Sequence, residues 1–434
     1  MATRADYDVV VVGGGPAGAA AAARCAQHGH SVLVLESERF PRFHIGESLL
    51  PLGDDVFQQL GVGARLRSAG FVTKRGAQLK TADGAHTVLF DFTQASFVDP
   101  PWAFQVHRAE FDQILLEHAR SLGAEVEFAR ARDCRIDANG VEVEFTSGER
   151  VATVRARAIV DASGRTGFVA RQQGVRRPDD ELRKAAVYAH YRNVPADPGD
   201  RAGDTRIVSL PKLGWVWFIP LQDGVTSVGC VLDIADYESR EKGDPAALFA
   251  AAIAQSSQAS AWLAEAECVS GFRVESGFSY GASSYCGDRW FLAGDAGSFL
   301  DPVFSTGVLL ALRSGVEAAD AIDAAYVRGR SGKARVLRRF DRVLQARYQF
   351  VRKFVLGFYD EATRDIFFAP RPVFGITRAV TTVLAGGFDL TWLDRLRVRC
   401  FFLLGRLQRR FNLVPRVAAS APATPASKTM ETPA

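Results

Sequence analysis

A short β-rich run, Tyr7–Val12, passes directly into Gly13-x-Gly15-x-x-Gly18, then into an alanine-rich stretch that ends near Gln27, then into a second apolar run at 31–35. This order of strand, turn, helix and strand constrains the fold more than any other feature of the chain. Glycines at 13, 15 and 18 permit a tight turn and let backbone N–H groups approach a pyrophosphate at the start of the helix, where the helix dipole favours an anion. Ala17 and Gly18 lie in that first turn. Glu36 closes the second run, about 20 residues past the glycines, where a carboxylate can accept hydrogen bonds from an adenosine ribose. The segment is therefore read as a dinucleotide-binding unit of an α/β domain.

With 434 residues and 47% hydrophobic content, the chain can bury a large core and is expected to hold two or three interlocked domains. Its net charge of +4 is too slight to indicate nucleic acid as a partner. Six cysteines occur without C-x-x-C or histidine-paired spacing, so neither a metal site nor a disulfide framework is expected, and a reducing cytoplasm fits. The apolar Val9–Val12 is read as a strand rather than a leader: it breaks at the glycines, and Asp6 and Asp8 stand where a leader carries basic residues. No run of about 18 apolar residues appears, so no spanning helix is expected.

A second turn narrows the dinucleotide. The run 290–297, Trp-Phe-Leu-Ala-Gly-Asp-Ala-Gly, reads as a strand entering a Gly-Asp turn, where Gly294 allows close approach and Asp295 offers acceptors to a polyol such as a ribityl chain. A nicotinamide dinucleotide has no ribityl chain. With the 160–164 strand end at Asp161 and with Arg108 ahead of a helix at 111–122, these features resemble the glutathione-reductase-like FAD fold of aromatic hydroxylases. The resemblance implies FAD, with Arg108 and Asp295 at the cofactor. The plainer alternatives are an N-cap for Asp295, a structural role for Asp161 and a surface salt bridge for Arg108.

Residues 214–220 read Gly-Trp-Val-Trp-Phe-Ile-Pro, in a chain with 6 tryptophans. At strand spacing Trp215 and Trp217 share one face while Val216 and Phe218 take the other, so the indoles form either a rigid screen or a pair of core aromatics. Three further stretches accompany them: Phe40-Pro-Arg-Phe-His-Ile-Gly46-Glu-Ser48, Phe71-Val-Thr-Lys74-Arg-Gly76 and Phe299-Leu-Asp-Pro302-Val-Phe304-Ser305-Thr306-Gly307. Together the four stretches resemble the flavin-dependent halogenases: a flavin strap, F-x-x-K-x-G, W-x-W-x-I-P and F-x-x-P-x-x-S-x-G. The strap is also shared with geranylgeranyl-reductase-like enzymes.

The resemblance implies that FADH₂ from a separate flavin reductase, with O₂ and chloride or bromide, yields hypohalous acid that must not escape. It places Gly46, Ser48, Pro302 and Gly307 at the flavin and the Thr306 and Gly307 N–H groups at the halide, as in anion-binding nests. Lys74 is implied as the relay, either a hydrogen-bond donor to hypohalous acid or an amine that forms a haloamine, and burial would favour its neutral form. Trp215 and Trp217 would keep the organic substrate off the flavin. Ser305 reads equally as an N-cap of a helix at 306–312. One departure stands out: Phe304 occupies the place of a glutamate found in the tryptophan-specific branch. A substrate that supplies its own electron density follows, a phenol or pyrrole as in the chondrochloren type, either free or on an acyl or peptidyl carrier protein. The competing reading is a single-component FAD monooxygenase or geranylgeranyl-reductase-like enzyme, which needs no combination of Lys74 with the tryptophans.

The expected organisation is a discontinuous FAD domain at 1–75, 100–165 and 285–330, with a mostly antiparallel substrate-side sheet from 76–99 and 166–284. Strands are expected at 184–192, 205–210, 215–220, 226–232 and 268–278, a loop at 237–242 and a helix at 246–266. From 331 to 416, basic amphipathic helices read as a cap over the substrate mouth, with carrier docking or membrane-surface contact as alternatives; no membrane association is expected. The Ala/Pro/Thr/Ser-rich 417–434 is expected to be disordered. No internal repeat is present.

Overall fold

The computed structural model describes residues 6–211, 214–239, 244–327, 332–369 and 373–417. The tail from 418 onward lies outside them, as does the 240–242 part of the expected loop. Five parallel strands form the first sheet in the order Trp290–Leu292, Arg150–Asp161, Tyr7–Val12, Val32–Glu36, Glu125–Phe128. Its middle strand is an unbroken valine run, buried on both faces, as a central parallel strand requires. The antiparallel strand Cys286–Gly287 closes one edge, and Arg130–Ile136 and Val141–Ser147 extend the long strand 150–161 as a hairpin. Helix Pro16–Gln27 packs between this sheet and helix Gly307–Ile322.

The second sheet runs Glu267–Cys268, Lys184–Arg192, Thr226–Asp233, Trp215–Pro220, Thr205–Ser209, Gly76–Lys80, Thr87–Asp91. It is antiparallel except where Thr205–Ser209 lies parallel to Gly76–Lys80. Both faces are covered, each by alternate residues of the same strands. Val187, Val208, Val216 and Phe218 pack with Leu248 and Phe249 of helix Pro245–Ile253. Ile207, Trp215, Trp217 and Ile219 pack instead with Phe354, Phe358, Phe367 and Phe401 of the C-terminal helices. The period-2 alternation read from the tryptophans thus decides which helices lie on which side.

Three local expectations need correction. The 268–278 run is two strands, Glu267–Cys268 and Arg273–Ser276, both paired to Lys184–Arg192. The 246–266 run is two helices, Pro245–Ile253 and Ser257–Leu263, because Ser256 caps a new start by accepting from Ala259 N. Tyr237 lies in helix Ile234–Ser239 rather than in a loop.

The C-terminal region comprises helices Lys333–Tyr359, Glu361–Phe368, Ile376–Leu384 and Trp392–Phe411. Their inner faces pack on the second sheet. The outer face of the last helix presents Trp392, 77% exposed, with Leu396 and Leu403 beside Arg395, Arg399 and Arg406. Among the described residues, no helix is long and apolar enough to cross a membrane.

Candidate active site

The dinucleotide turn meets the Gly-Asp turn at Ala17. Gly294 has φ +59, and a Cβ there would come within 3.0 Å of the Ala17 methyl, so the two glycine turns close on each other only without that side chain. Glu36 Oε2 accepts from Gly14 N at 2.6 Å and Oε1 from Glu38 N at 2.8 Å, leaving lone pairs for a ribose. The Asp295 carboxylate has no hydrogen-bond partner among the described residues, and burial pushes it up to about 6 against the pull of Arg108 and Arg165. An unsatisfied acceptor beside a glycine turn fits a polyol donor, so these residues suit FAD. Asp295 sits within the turn 294–296 and caps no helix. Asp161 is structural: its carboxylate accepts from Ser163 N, Val169 N and Ala170 N.

Arg108 is neither ahead of a helix nor on the surface. It is the first residue of helix Arg108–Ser121, and its buried guanidinium makes a two-pronged pair with Asp112 at 2.7 and 2.9 Å. The i,i+4 spacing on one helix face brings the two together. Its Nη1 donates to the Ile45 carbonyl at 2.6 Å, so Arg108 holds the strap next to Gly46.

Lys74 ends the short strand Val72–Lys74, which pairs antiparallel with Ala103–Gln105. The side chain is 1% exposed. Its Nζ donates to Ser48 Oγ at 2.8 Å and to the Leu49 carbonyl at 3.1 Å, and it forms no ion pair among the described residues. Burial without a counter-charge brings the amine down to about 7, with Asp204 opposing weakly. Lys74 borders a cavity of ≈ 30 Å³ lined by Leu50, Phe92, Thr205, Ile207, Phe304 and Ser305, with Phe358, Phe367 and Leu384 also in its wall.

Trp215 and Trp217 lie with ring centroids 5.6 Å apart, and Trp217 pairs in register with the cavity residue Ile207. Gly229 opposes Trp217 on the neighbouring strand, where a Cβ would fall 2.2 Å from the indole. Trp215 Nε1 donates to Tyr359 Oη at 2.9 Å, and Tyr359 donates in turn to Asp301 Oδ2 at 2.5 Å. Asp301 also accepts from Val303 N, and burial pushes its carboxyl up to about 6. This chain of contacts joins the tryptophans, a C-terminal helix and the 299–307 stretch.

Helix Gly307–Ile322 begins after Ser305, which adopts φ +56, so Ser305 is not an N-cap; Thr306 occupies that place without a side-chain cap bond. The Thr306 and Gly307 N–H groups donate to nothing among the described residues. Pro302 opens the short turn 302–304 just before them.

Residues 6–352 match the FAD binding domain family. The chain is 35% identical over 343 residues to the 1H-pyrrole-2-carbonyl peptidyl-carrier-protein chlorinase of Pseudomonas fluorescens, covering 74% of this chain and 76% of that one. It is 32% identical over 321 residues to the corresponding brominase of Pseudoalteromonas luteoviolacea, covering 73% and 77%. The structure of the myxobacterial chondrochloren halogenase CndH superposes with a TM-score of 0.77 at 31% identity, covering 95% of this chain and 98% of that one. The chain belongs to the flavin-dependent halogenases.

In this halogenase Lys74, Leu50 just past the strap and the 299–307 stretch line one small cavity, with the strap's Ser48 bonded to Lys74 and the tryptophans one strand away. Phe304 turns its ring into a cluster with Phe354, Phe358 and Phe367 and offers Lys74 no acceptor. No local pattern indicates that the lysine is held by Ser48 and Leu49, nor that Tyr359 reaches Asp301 and Trp215. The Ser48 hydroxyl engages Lys74 and Thr205. The signal available for Arg108 was its spacing from Asp112.

Proposed function

We propose that this flavin-dependent halogenase transfers chlorine or bromine to an electron-rich ring, a pyrrole carried on a peptidyl-carrier protein before a free phenol. It would work in the cytoplasm with a separate reductase as its source of FADH₂. The two carrier-protein pyrrole halogenases among its relatives support the substrate class. Phe304 supports a ring that needs no carboxylate to activate the halogen donor. The outer face of helix Trp392–Phe411, apolar beside arginines that make no ion pair among the described residues, suits an acidic carrier domain.

Bound and reduced, FAD supplies with O₂ the oxidising equivalents that turn halide into hypohalous acid. Thr306 and Gly307 hold the halide through N–H groups at a helix start, without a fixed cation. The cavity beside Lys74 confines the small oxidant, with Phe358, Phe367 and Leu384 in its wall. Trp215 and Trp217 separate the ring from the flavin side. Lys74 takes the halogen and presents it to the ring.

The observation that carries this reading is a fully buried lysine, without an ion pair among the described residues, bordering a small cavity. Mass spectrometry of reactions with supplied FADH₂ and bromide tests it, using pyrrole and phenol substrates both free and carrier-bound. The expected result is a bromine isotope doublet on carrier-bound pyrrole; hydroxylated product alone would sink the proposal.

A further inference from the structure

Strand Ala103–Gln105 has two neighbours. On one edge it pairs with Val72–Lys74, placing Lys74 opposite Ala103. On the other it forms a bridge between Gln105 and Ser48, and Leu49 N donates to the Phe104 carbonyl at 3.0 Å. One strand therefore serves as a common ruler between strap and lysine. Behind Ser48 the order continues: its Oγ lies 3.0 Å from Thr205 Oγ1, which accepts from Gln105 Nε2 at 2.9 Å. All of these groups are buried and uncharged.

We propose that Ser48 and the Leu49 carbonyl are the positioning groups of Lys74, taking two N–H bonds of its amine and turning the third tetrahedral position of Nζ into the cavity. The proposal rests on the relay role of Lys74. In this chain the strap does what a carboxylate on the 299–307 stretch cannot do, because Phe304 stands there. A neutral amine has two N–H groups, and the two acceptors use both. Its lone pair then faces the oxidant. An ammonium would carry a third N–H into the cavity, where the Phe92 ring lies 5.5 Å from Nζ and no side chain hydrogen-bonds it among the described residues. Two acceptors for two N–H groups match the amine as nucleophile. In the step, the Nζ lone pair forms the N–halogen bond as the halogen–oxygen bond of hypohalous acid breaks, and the departing hydroxide takes a proton from the amine and leaves as water.

Lysine is sparse in this sequence, so [¹³Cε]lysine NMR can follow the residue directly, with Lys74→Met identifying its resonance. Wild-type protein should show that resonance titrating near 7. Ser48→Ala removes an acceptor worth more to the charged form than to the neutral one, so the titration should move down by about one pH unit. The acid limb of bromination should move with it, and the plateau rate should fall about tenfold as the amine loses its fixed orientation. Ser48→Thr should restore both. Ser48→Cys, nearly isosteric with a weaker acceptor, gives a smaller shift in the same direction and serves if the alanine variant does not fold. A titration and an acid limb that stay in place in these variants overturn the positioning role. Bromination that survives Lys74→Ala overturns the relay itself, which is a separate failure.

Discussion

Two buried ionisable groups flank the halogenase cavity, and they are treated in the same way with opposite sign. Lys74 is an amine held by two uncharged oxygens, and Asp301 is a carboxylate held by uncharged donors, the Tyr359 hydroxyl and Val303 N. Neither makes an ion pair among the described residues. Dipoles in place of counter-charges leave the desolvation penalty only partly offset, so the amine comes down to about 7 and the carboxyl rises to about 6. Near neutral pH both groups can change charge, which a direct Lys–Asp pair would prevent. The difference lies in access: Lys74 borders the cavity, whereas Asp301 is wrapped behind the 302–304 turn and braces it.

The largest effect should come from removing the cavity-facing member. Lys74→Ala should lower halogenation on the order of a thousandfold while flavin absorbance stays with the protein, measured by product mass and by the visible spectrum. Next, wild-type halogenation with pre-reduced flavin should fall about tenfold from pH 8 to pH 6, as the amine takes up its proton. A rate flat across that range would erase the contrast. Because the folded amine lies below its unfolded value, its contribution to stability is full above about pH 10.5 and is lost as pH falls through about 7. Asp301, raised on folding, contributes below its unfolded value near 3.8 and loses that contribution as pH rises through about 6. Lys74→Met should therefore gain stability over wild type on the order of 2 kcal/mol at pH 6 and less at pH 9.5, read by urea unfolding. The bracing member should give the smallest change: Tyr359→Phe should cost about 1 kcal/mol of stability and alter the emission of Trp215, with bromination nearly retained.

These contrasts also show which parts of the molecule were readable beforehand. Strand, turn and helix at 7–27 and the two-faced strand at 215–220 follow from spacing within a few residues, and both stand as expected. Arg108 was misplaced because its partner Asp112 lies one turn further along a helix whose start was set three residues too late. Ser305 lost its expected capping role because the backbone there turns left-handed before the helix begins. The partners of Lys74 and Asp301 depend on sheet register and on a helix more than 50 residues away, and no local pattern encodes either. Motif resemblance named the lysine; only the assembled strands show what holds it.

Gly229 sits across from Trp217 where any added carbon would strike the indole. The tilt of that ring is therefore written into the neighbouring backbone as well as into its contacts with Tyr188, Trp215 and Ser227. Position 229 becomes a point of near-zero tolerance: substituting even alanine would displace the ring, on a strand that no search for catalytic residues would inspect.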